Sequence, residues 1–259
     1  MDITLEHKLA RPPISRASRA ESEPRYRIGW ARSAAEIEEV QRLRFEVFAG
    51  ELGAQLTPAF DRAGHRLDRD ERDAIADHLV VRDREDRVVG TYRLLAQAGG
   101  KDPTGGAFAM RGLENLGDGL VELGRACVHP EHRRGPVVML LWKGIADFLR
   151  DGGHAYAFGC ASVGMGDGGR LAASIHHSLI EAGRTSKLLT MLPHRPLPIE
   201  SLERLDTVDA PVLVRAYIKI GARLCGPPAW DPEFNTADLP MLLSLADVDD
   251  RYRARFLTG

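Results

Sequence analysis

The sequence predicts a mixed α/β domain in which helices flank a central β-sheet. Apolar residues change several times between the helical spacing of three or four and the alternating or continuous pattern of strands. A β-hairpin is also predicted early, in residues 77–96, where two apolar runs flank a short polar turn. Strands and helices that alternate after a hairpin favour a single mixed sheet.

The first 24 residues differ in composition from the rest of the chain. Pro, Ser, Arg and Glu dominate this segment and apolar periodicity is absent, which predicts a disordered N-terminal arm. Its arginines could touch an acidic partner, although a solvated tail is the simpler interpretation. Residues 25–259 contain neither an internal repeat nor a strong linker, so we predict one domain there.

That domain begins with a strand and a helix. Ser33 and Glu36 have the spacing of a capping box at the start of the helix. The helix buries apolar residues at spacings of three and four, and Gly50 or Gly53 ends it. A charged loop over residues 54–76 then leads to the hairpin.

The second half of the chain alternates strands with helices. A Gly/Pro loop at 99–106 precedes it, and the charged segment 249–256 predicts a closing helical turn. The β-branched content of residues 212–226 keeps a strand as the alternative to a helix there. The predicted segments are strands at 120–128, 154–162, 187–192 and 237–245, and helices at 136–150, 170–183 and 212–226.

Composition and charge exclude several classes of function. The 259 residues carry a net charge of −2, which argues against nucleic-acid binding through overall electrostatics. No apolar run reaches the ~18–20 residues that span a bilayer, and the N-terminus lacks the apolar core of a secretory signal. The three cysteines match no zinc spacing. We therefore expect a cytoplasmic protein with no metal site and with buried free thiols.

A basic turn joins the strand at 120–128 to the following helix. A helix N-terminus offers free N–H groups and the positive end of a dipole. Gly135 lets the backbone approach a ligand closely, and Arg133 and Arg134 add positive charge. These features predict a phosphate cradle, although an ordinary capped helix with exposed arginines explains the spacing equally well. The patterns of the P-loop and of the dinucleotide fingerprint are absent from this turn.

This strand and turn resemble those of the GNAT superfamily of acyl-CoA-type N-acyltransferases. In that superfamily the strand carries the chemistry and the turn holds the pantetheine diphosphate. The usual pattern is Arg/Gln-x-x-Gly-x-Gly/Ala. Only Gly135 fits it here, because His132 and Val137 occupy the outer positions.

Motifs over residues 40–257 resemble a narrower branch, the ornithine-lipid N-acyltransferases. They include RLRFEVFAGELG, DHLVV, VVGTYRLL, VELGRACVHPEHR, FGCAS and AYIKIGARLCGPPAWDPEFNTADLPMLL, in this order. The same acid and arginine pattern recurs in the N-acyl amino acid synthases and the acyl-homoserine-lactone synthases. The resemblance implies acyl carrier protein as partner, whose 4′-phosphopantetheine is the donor arm, with no permanently bound cofactor. It also implies transfer of a 3-hydroxyacyl chain to the α-amine of ornithine, and transient membrane contact for the amphiphilic product.

Amide formation from a thioester needs a base, donors for the oxyanion and two substrates held in line. Glu122 is the first candidate for the base or amine orienter, and Arg125 for its companion. A bulge at Gly124 would bring these two residues to the same side of the strand. A structural Glu–Arg pair at a sheet edge is the alternative.

Two binding regions are predicted from the residues, and the resemblance supports an arginine at position 93 and acids of the preceding loop as the acceptor pocket. A forked guanidinium suits the acceptor carboxylate, and aspartates suit the cationic side of a dibasic amino acid. Arg93 could instead pair with Asp68 or Asp70. A solvated charged loop is the alternative for most of residues 61–73, a surface arginine for Arg44, and a core or surface role for His177. The acceptor set is Arg44, Asp68, Asp70, Arg93 and His177, and the donor set is Val128, Arg133, Arg134 and Gly135.

Three other functions remain open from the sequence. The first is an N-acyl amino acid or homoserine-lactone signal synthase, of which the latter would consume S-adenosylmethionine. The second is a non-catalytic module that binds acyl carrier protein or lipid. The third is an enzyme that uses acetyl-CoA. Thermal stabilisation by acetyl-CoA but not by acylated carrier protein would indicate this function.

Overall fold

The computed structural model describes residues 24–96, 106–133, 135–248 and 252. The predicted N-terminal arm, the Gly/Pro loop and the closing helical turn lie almost entirely outside these residues. The described part confirms the mixed α/β class.

Twelve strands occur among the described residues. Eight of them form one sheet in the order β1-β4-β5-β7-β8-β12-β10, with β11 on β12, and the other four form two separate pairs, β2-β3 and β6-β9. The strands are, in chain order, β1 (Arg27–Trp30), β2 (Ala59–Phe60), β3 (Arg66–Leu67), β4 (Asp77–Arg82), β5 (Val88–Ala96), β6 (Phe108–Arg111), β7 (Leu120–Val128), β8 (Tyr156–Gly164), β9 (Thr190–Pro193), β10 (Arg223–Leu224), β11 (Ala229–Asp231) and β12 (Thr236–Ser244).

In the described part of the chain four α-helices accompany the sheet: α1 (Ala34–Phe45), α2 (Val137–Asp151), α3 (Arg170–Glu181) and α4 (Val212–Ile220). The capping box of Ser33 and Glu36 is present at the start of α1, and a π-helical turn extends this helix to Glu51. The segment at 212–226 forms a helix followed by the short strand β10, so both of its predicted alternatives occur in part. The strand predicted at 187–192 lies outside the main sheet, as β9.

Helices α1 and α2 cover opposite faces of the sheet. On β4, Leu79 packs against Gly144 of α2, whereas the neighbouring His78 binds the carbonyl oxygen of Asp73 beside α1. Adjacent strand residues point to opposite faces. We call these two sides the α1 face and the α2 face. None of the helices in the described residues is long and apolar enough to cross a membrane.

The centre of the sheet opens between β7 and β8, the neighbouring strands that run parallel. Within the described residues their pairing covers only Leu120–Glu122 and Tyr156–Phe158. Strand β8 nevertheless continues to Gly164, paired along its other edge with the whole of β12. The two strands therefore separate beyond Glu122, and a gap passes through the sheet.

Candidate active site

A cleft of about 570 Å³ occupies this gap. Apolar side chains and glycines supply most of its wall. The polar and aromatic residues of the wall are Phe48, Tyr92, Arg125, Ser162, Tyr217, Asp231, Phe234, Asn235, Thr236 and Asp238. A mostly apolar cleft with a few placed polar groups is the usual form of a small-molecule binding site.

A β-bulge shapes the cleft wall at β7. Thr91 pairs with Cys127 and Arg93 with Gly124, so both Arg125 and Ala126 stand opposite Tyr92. Arg125 adopts a left-handed backbone conformation with φ +49°. The predicted bulge is thus present directly after Gly124. The extra residue of a bulge leaves the ladder of backbone hydrogen bonds, which frees peptide groups beside the cleft.

Three arginines and three aspartates form a closed ring of ion pairs on the α1 face. Arg44 joins Asp68 at 2.6 Å and Asp73 at 2.8 Å. Arg93 joins Asp73 at 2.9 Å and Asp70 at 2.7 Å. Arg125 closes the ring on Asp70 at 3.2 Å and Asp68 at 3.3 Å. The sequence prediction missed Asp73, which links Arg44 to Arg93 and comes from the 3-10 turn Glu71–Ala74.

The members of this ionic ring differ in their access to solvent. The side chain of Arg44 is fully buried, and those of Asp70 and Arg125 are 28% and 24% exposed. Burial raises the pKa of Asp70, but hydrogen bonds from Arg93 outweigh it and leave that pKa below its usual value. The pKa of Asp73 is lowered in the same way, by Arg44 and Arg93. Only Asp70 and Arg125 therefore keep surface for a substrate, and Arg44 is a buried residue, not a surface one.

Glu122 lies beside the ring, and its carboxylate binds Arg72 of the preceding loop. Its Oε1 atom points toward Gly124, 3.9 Å from where a Cβ of that residue would lie. The predicted companion Arg125 instead binds Asp68 and Asp70, and its guanidinium lies 4.7 Å from the ring centroid of Phe234. The bulge turns Arg125 toward the aspartates, so the ion pairs described for Glu122 and Arg125 have different partners.

Part of the basic turn already forms ion pairs and hydrogen bonds with other residues of the protein. Arg133 holds both carboxylate oxygens of Glu51 at 2.5 Å and donates from Nε to the carbonyl oxygen of Val128. Arg134 lies outside the described residues. A Cβ added to Gly135 would meet its nearest atoms at 3.5 Å, an ordinary contact, so the fold does not demand glycine there.

Two histidine groups lie away from the cleft wall. His129, Glu131 and His132 in the turn each place a ligand atom within 4.8 Å of the others, a grouping that could hold a metal ion. His177 on α3 is absent from the residues that line the cleft, and its ring packs edge-on against His176. The structure therefore does not bring His177 to the other predicted acceptor residues.

Asp238 is a cleft residue that the sequence prediction missed. It lies on β12 opposite Ser162 and accepts a hydrogen bond from the hydroxyl of Thr236 at 3.0 Å. Burial raises the pKa of this carboxyl above its usual value. A carboxylate inside the apolar strand at 237–245 was the available signal.

Comparisons with known proteins identify the fold. A family model described as "Acetyltransferase (GNAT) domain" matches residues 43–143. Two solved structures share the fold: TofI in a complex with an inhibitor and MTA (TM-score 0.51, 14% identity, 91% of this chain, 98% of that one) and FeeM, an N-acyl amino acid synthase from uncultured soil microbes (TM-score 0.50, 11% identity, 91% and 96%).

Curated relatives cover almost the whole chain. An L-ornithine N(alpha)-acyltransferase of Rhodobacter capsulatus is 34% identical over 88% of this chain and 93% of its own. An enzyme of the same name from Rhizobium meliloti is 34% identical over 86% and 81%. One from Brucella abortus is 31% identical over 86% and 85%. The chain is therefore an acyltransferase of the GNAT superfamily and belongs to the L-ornithine N(alpha)-acyltransferase family.

Proposed function

We propose that this protein transfers a 3-hydroxyacyl group from acyl carrier protein to the α-amine of L-ornithine and produces a lyso-ornithine lipid. The names of the curated relatives support ornithine as the acceptor. The donor and the product follow from the family resemblance of the motifs.

One observation carries the proposal: the cleft joins an apolar interior to a charged rim. The gap between β7 and β8 connects the ionic ring of the α1 face with the apolar residues of the α2 face. Such a passage suits a reaction between an apolar acyl chain and a charged amino acid. The reacting carbonyl would lie at the bulge of Arg125 and Ala126, between the two substrates.

The reaction forms a C–N bond and breaks the C–S bond of the thioester. The ammonium of the acceptor must first lose a proton, and a neighbouring carboxylate is a suitable base. We assign this role to Glu122, which is buried beside the ring, and treat Asp238 as the competing assignment. Peptide N–H groups released by the bulge would stabilise the oxyanion. The thiolate of the donor leaves and takes up a proton.

Arg125 and Asp70 are the ring members that we assign to acceptor binding. Arg125 would contact the acceptor carboxylate, for which a guanidinium fork is well shaped. Asp70, with Asp231 and Asp238 on the cleft wall, would attract the side-chain ammonium of ornithine. Asp68 and Arg93, which the sequence predicted as direct contacts, would instead hold Arg125 and Asp70 in place through the ring.

The basic turn is assigned to the phosphopantetheine arm. Gly135 leaves space that the fold does not need, next to the N-terminus of α2. The departure of His132 and Val137 from the diphosphate pattern fits a donor arm with a single phosphate. Arg133 would meet that phosphate by exchanging part of its pairing with Glu51. The amphiphilic product makes transient contact with a membrane surface part of the same proposal.

A product analysis tests this function. Purified protein is incubated with 3-hydroxyacyl carrier protein and a panel of amino acids, with acetyl-CoA and S-adenosylmethionine in parallel reactions. We expect an acyl-ornithine by mass spectrometry. Release of methylthioadenosine would indicate a lactone synthase, and acetylated products without acyl-ornithine would overturn the proposed donor.

A further inference from the structure

Two tyrosine hydroxyls meet inside the apolar half of the cleft. The oxygens of Tyr92 on β5 and Tyr217 on α4 lie 2.8 Å apart. Tyr92 is buried, and Trp142 of α2 packs edge-on against the ring of Tyr217. Burial raises the pKa of both hydroxyls above that of free tyrosine, so the pair stays uncharged. A polar pair at this depth needs an explanation, because burying hydroxyls in an apolar wall is unfavourable.

The hydrogen bond between the tyrosines uses only one of their two hydroxyl protons. Each hydroxyl offers one donor and two acceptor positions, and the shared bond uses a single donor. Among the described residues, neither hydroxyl has a further hydrogen-bond partner. The pair therefore presents one free O–H donor and several lone pairs to whatever occupies the cleft.

The position of the pair fits a ligand group close to the reacting carbonyl. Tyr92 stands opposite the bulge of Arg125 and Ala126. Both tyrosines line the main cleft and also an adjoining apolar cavity of about 40 Å³ that no charged side chain lines. An acyl chain with its carbonyl at the bulge and its next carbons directed toward this cavity would pass the hydroxyl pair within its first few carbons.

We propose that Tyr92 and Tyr217 form a specificity site that recognises an oxygen substituent of the acyl chain near the thioester, such as a 3-hydroxyl group. This inference rests on the proposed acyl transfer. A hydroxyl on the chain would accept from the free tyrosine proton and donate to a lone pair of the pair. A plain acyl chain would leave the buried donor unsatisfied, and such a mismatch is what a hydrogen-bonding pocket discriminates against.

The test is a competition between two carrier-protein donors of equal chain length, one with a 3-hydroxyl group and one without, with ornithine as acceptor. Mass spectrometry gives the ratio of the two products. We expect the wild-type protein to favour the hydroxylated donor roughly 3- to 10-fold, the effect of one neutral hydrogen bond. In the double variant Tyr92→Phe/Tyr217→Phe the ratio should fall to near one, because the hydroxylated donor loses its hydrogen bond and the plain donor no longer leaves a tyrosine hydroxyl unsatisfied.

The double variant removes both hydroxyls and keeps the ring shapes, which limits the cost to stability. Tyr217→Phe alone must lower the ratio too, which keeps the test valid if the double variant does not fold. Tyr156→Phe on β8, outside the cleft lining, is the matched control and should keep the wild-type ratio.

Three outcomes overturn the inference. They are a wild-type ratio near one, an unchanged ratio in both variants, and an equal loss of rate with both donors, which would indicate a structural or acid-catalytic role. If the wild-type protein acylates ornithine with neither donor, both the proposed function and this inference fail. Acylation of ornithine without discrimination overturns the inference alone.

Discussion

The two faces of the sheet meet at one gap but use polar groups in opposite ways. On the α1 face six charges form a closed ring, in which each guanidinium bridges two carboxylates. On the α2 face the paired neutral hydroxyls of Tyr92 and Tyr217 stand among apolar side chains. The ring satisfies its own charges and is suited to holding backbone and side chains in position. The hydroxyl pair keeps unused hydrogen-bonding capacity, which is suited to ligand recognition.

The largest expected effect concerns chemistry at the edge of the ring. Glu122→Gln should lower kcat by about 10²–10⁴-fold, the usual contribution of a general base, because glutamine cannot take the proton of the amine. Asp238→Asn should have a smaller effect. Steady-state kinetics give kcat for both variants, and thermal melts verify that they fold. A larger loss of kcat in Asp238→Asn would transfer the base assignment to that residue.

The second largest effect is expected when one bridging carboxylate is removed from the ionic ring. Asp73→Asn leaves Arg44 and Arg93 with fewer partners in a buried setting, so the free energy of unfolding should fall by about 3–5 kcal/mol. The matched control is Arg204→Met, which breaks an exposed pair with Glu181 and should cost at most about 1 kcal/mol. Urea denaturation measures both, and equal losses would show that the ring has no special structural role.

The same variant gives a pH dependence of stability. The pKa values of Asp70 and Asp73 are lowered in the folded protein, so the unfolded chain takes up protons at a higher pH than the folded chain does. The stabilisation by the ring is therefore complete above about pH 5 and is lost as the pH falls through the lowered values. The stability difference between wild type and Asp73→Asn should shrink from pH 6 to pH 3 in urea titrations, and a constant difference would contradict the assignment.

Strands β7 and β8 are still in close contact at Leu123 and Gly159, at the edge of the gap where the two faces meet. A Cβ at Gly159 would lie 2.4 Å from the carbonyl oxygen of Leu123, whereas one at Gly164 on the same strand would meet no atom within 4 Å. Gly159→Ala should therefore cost about 1–3 kcal/mol. Gly164→Ala should change stability far less. Thermal melts measure both variants. Equal losses of stability in Gly159→Ala and Gly164→Ala would mean that β7 and β8 can move apart to make room for the methyl group.

The smallest effect is expected at the turn that borders the α2 face. Gly135→Ala should change stability by no more than about 1 kcal/mol, since the fold has space for the methyl group. It should raise KM for the carrier-protein donor about fivefold, as expected for one lost hydrogen bond to the phosphate. Initial rates at varied donor concentration measure this, and an unchanged KM would remove the turn from the donor site.

The sequence predicted those features that local patterns control. Apolar runs located the hairpin and β7, and the pair of Ser33 and Glu36 located the start of α1. The charges of Glu122 and Arg125 marked the central strand as unusual. These signals lie within a few residues of one another, so no tertiary information was needed.

The remaining features depend on which distant residues meet. Asp73 and Arg72 looked like parts of a solvated loop, yet the loop folds back so that they bind Arg44 and Glu122. Tyr92 and Tyr217 are 125 positions apart, and no local motif singles out either of them. Pairings of this kind follow from the packing of the sheet and helices, which local spacing does not encode.

The central claim is that the gap between β7 and β8 holds the reacting thioester, with the charged acceptor on the α1 face and the acyl tail on the α2 face. A crystal structure with a non-hydrolysable acyl-pantetheine tests it most directly. We expect the acyl carbonyl at the bulge of Arg125 and Ala126 and the chain beside Tyr92 and Tyr217. An acyl chain bound outside the cleft, or on the side of the ionic ring, would contradict it.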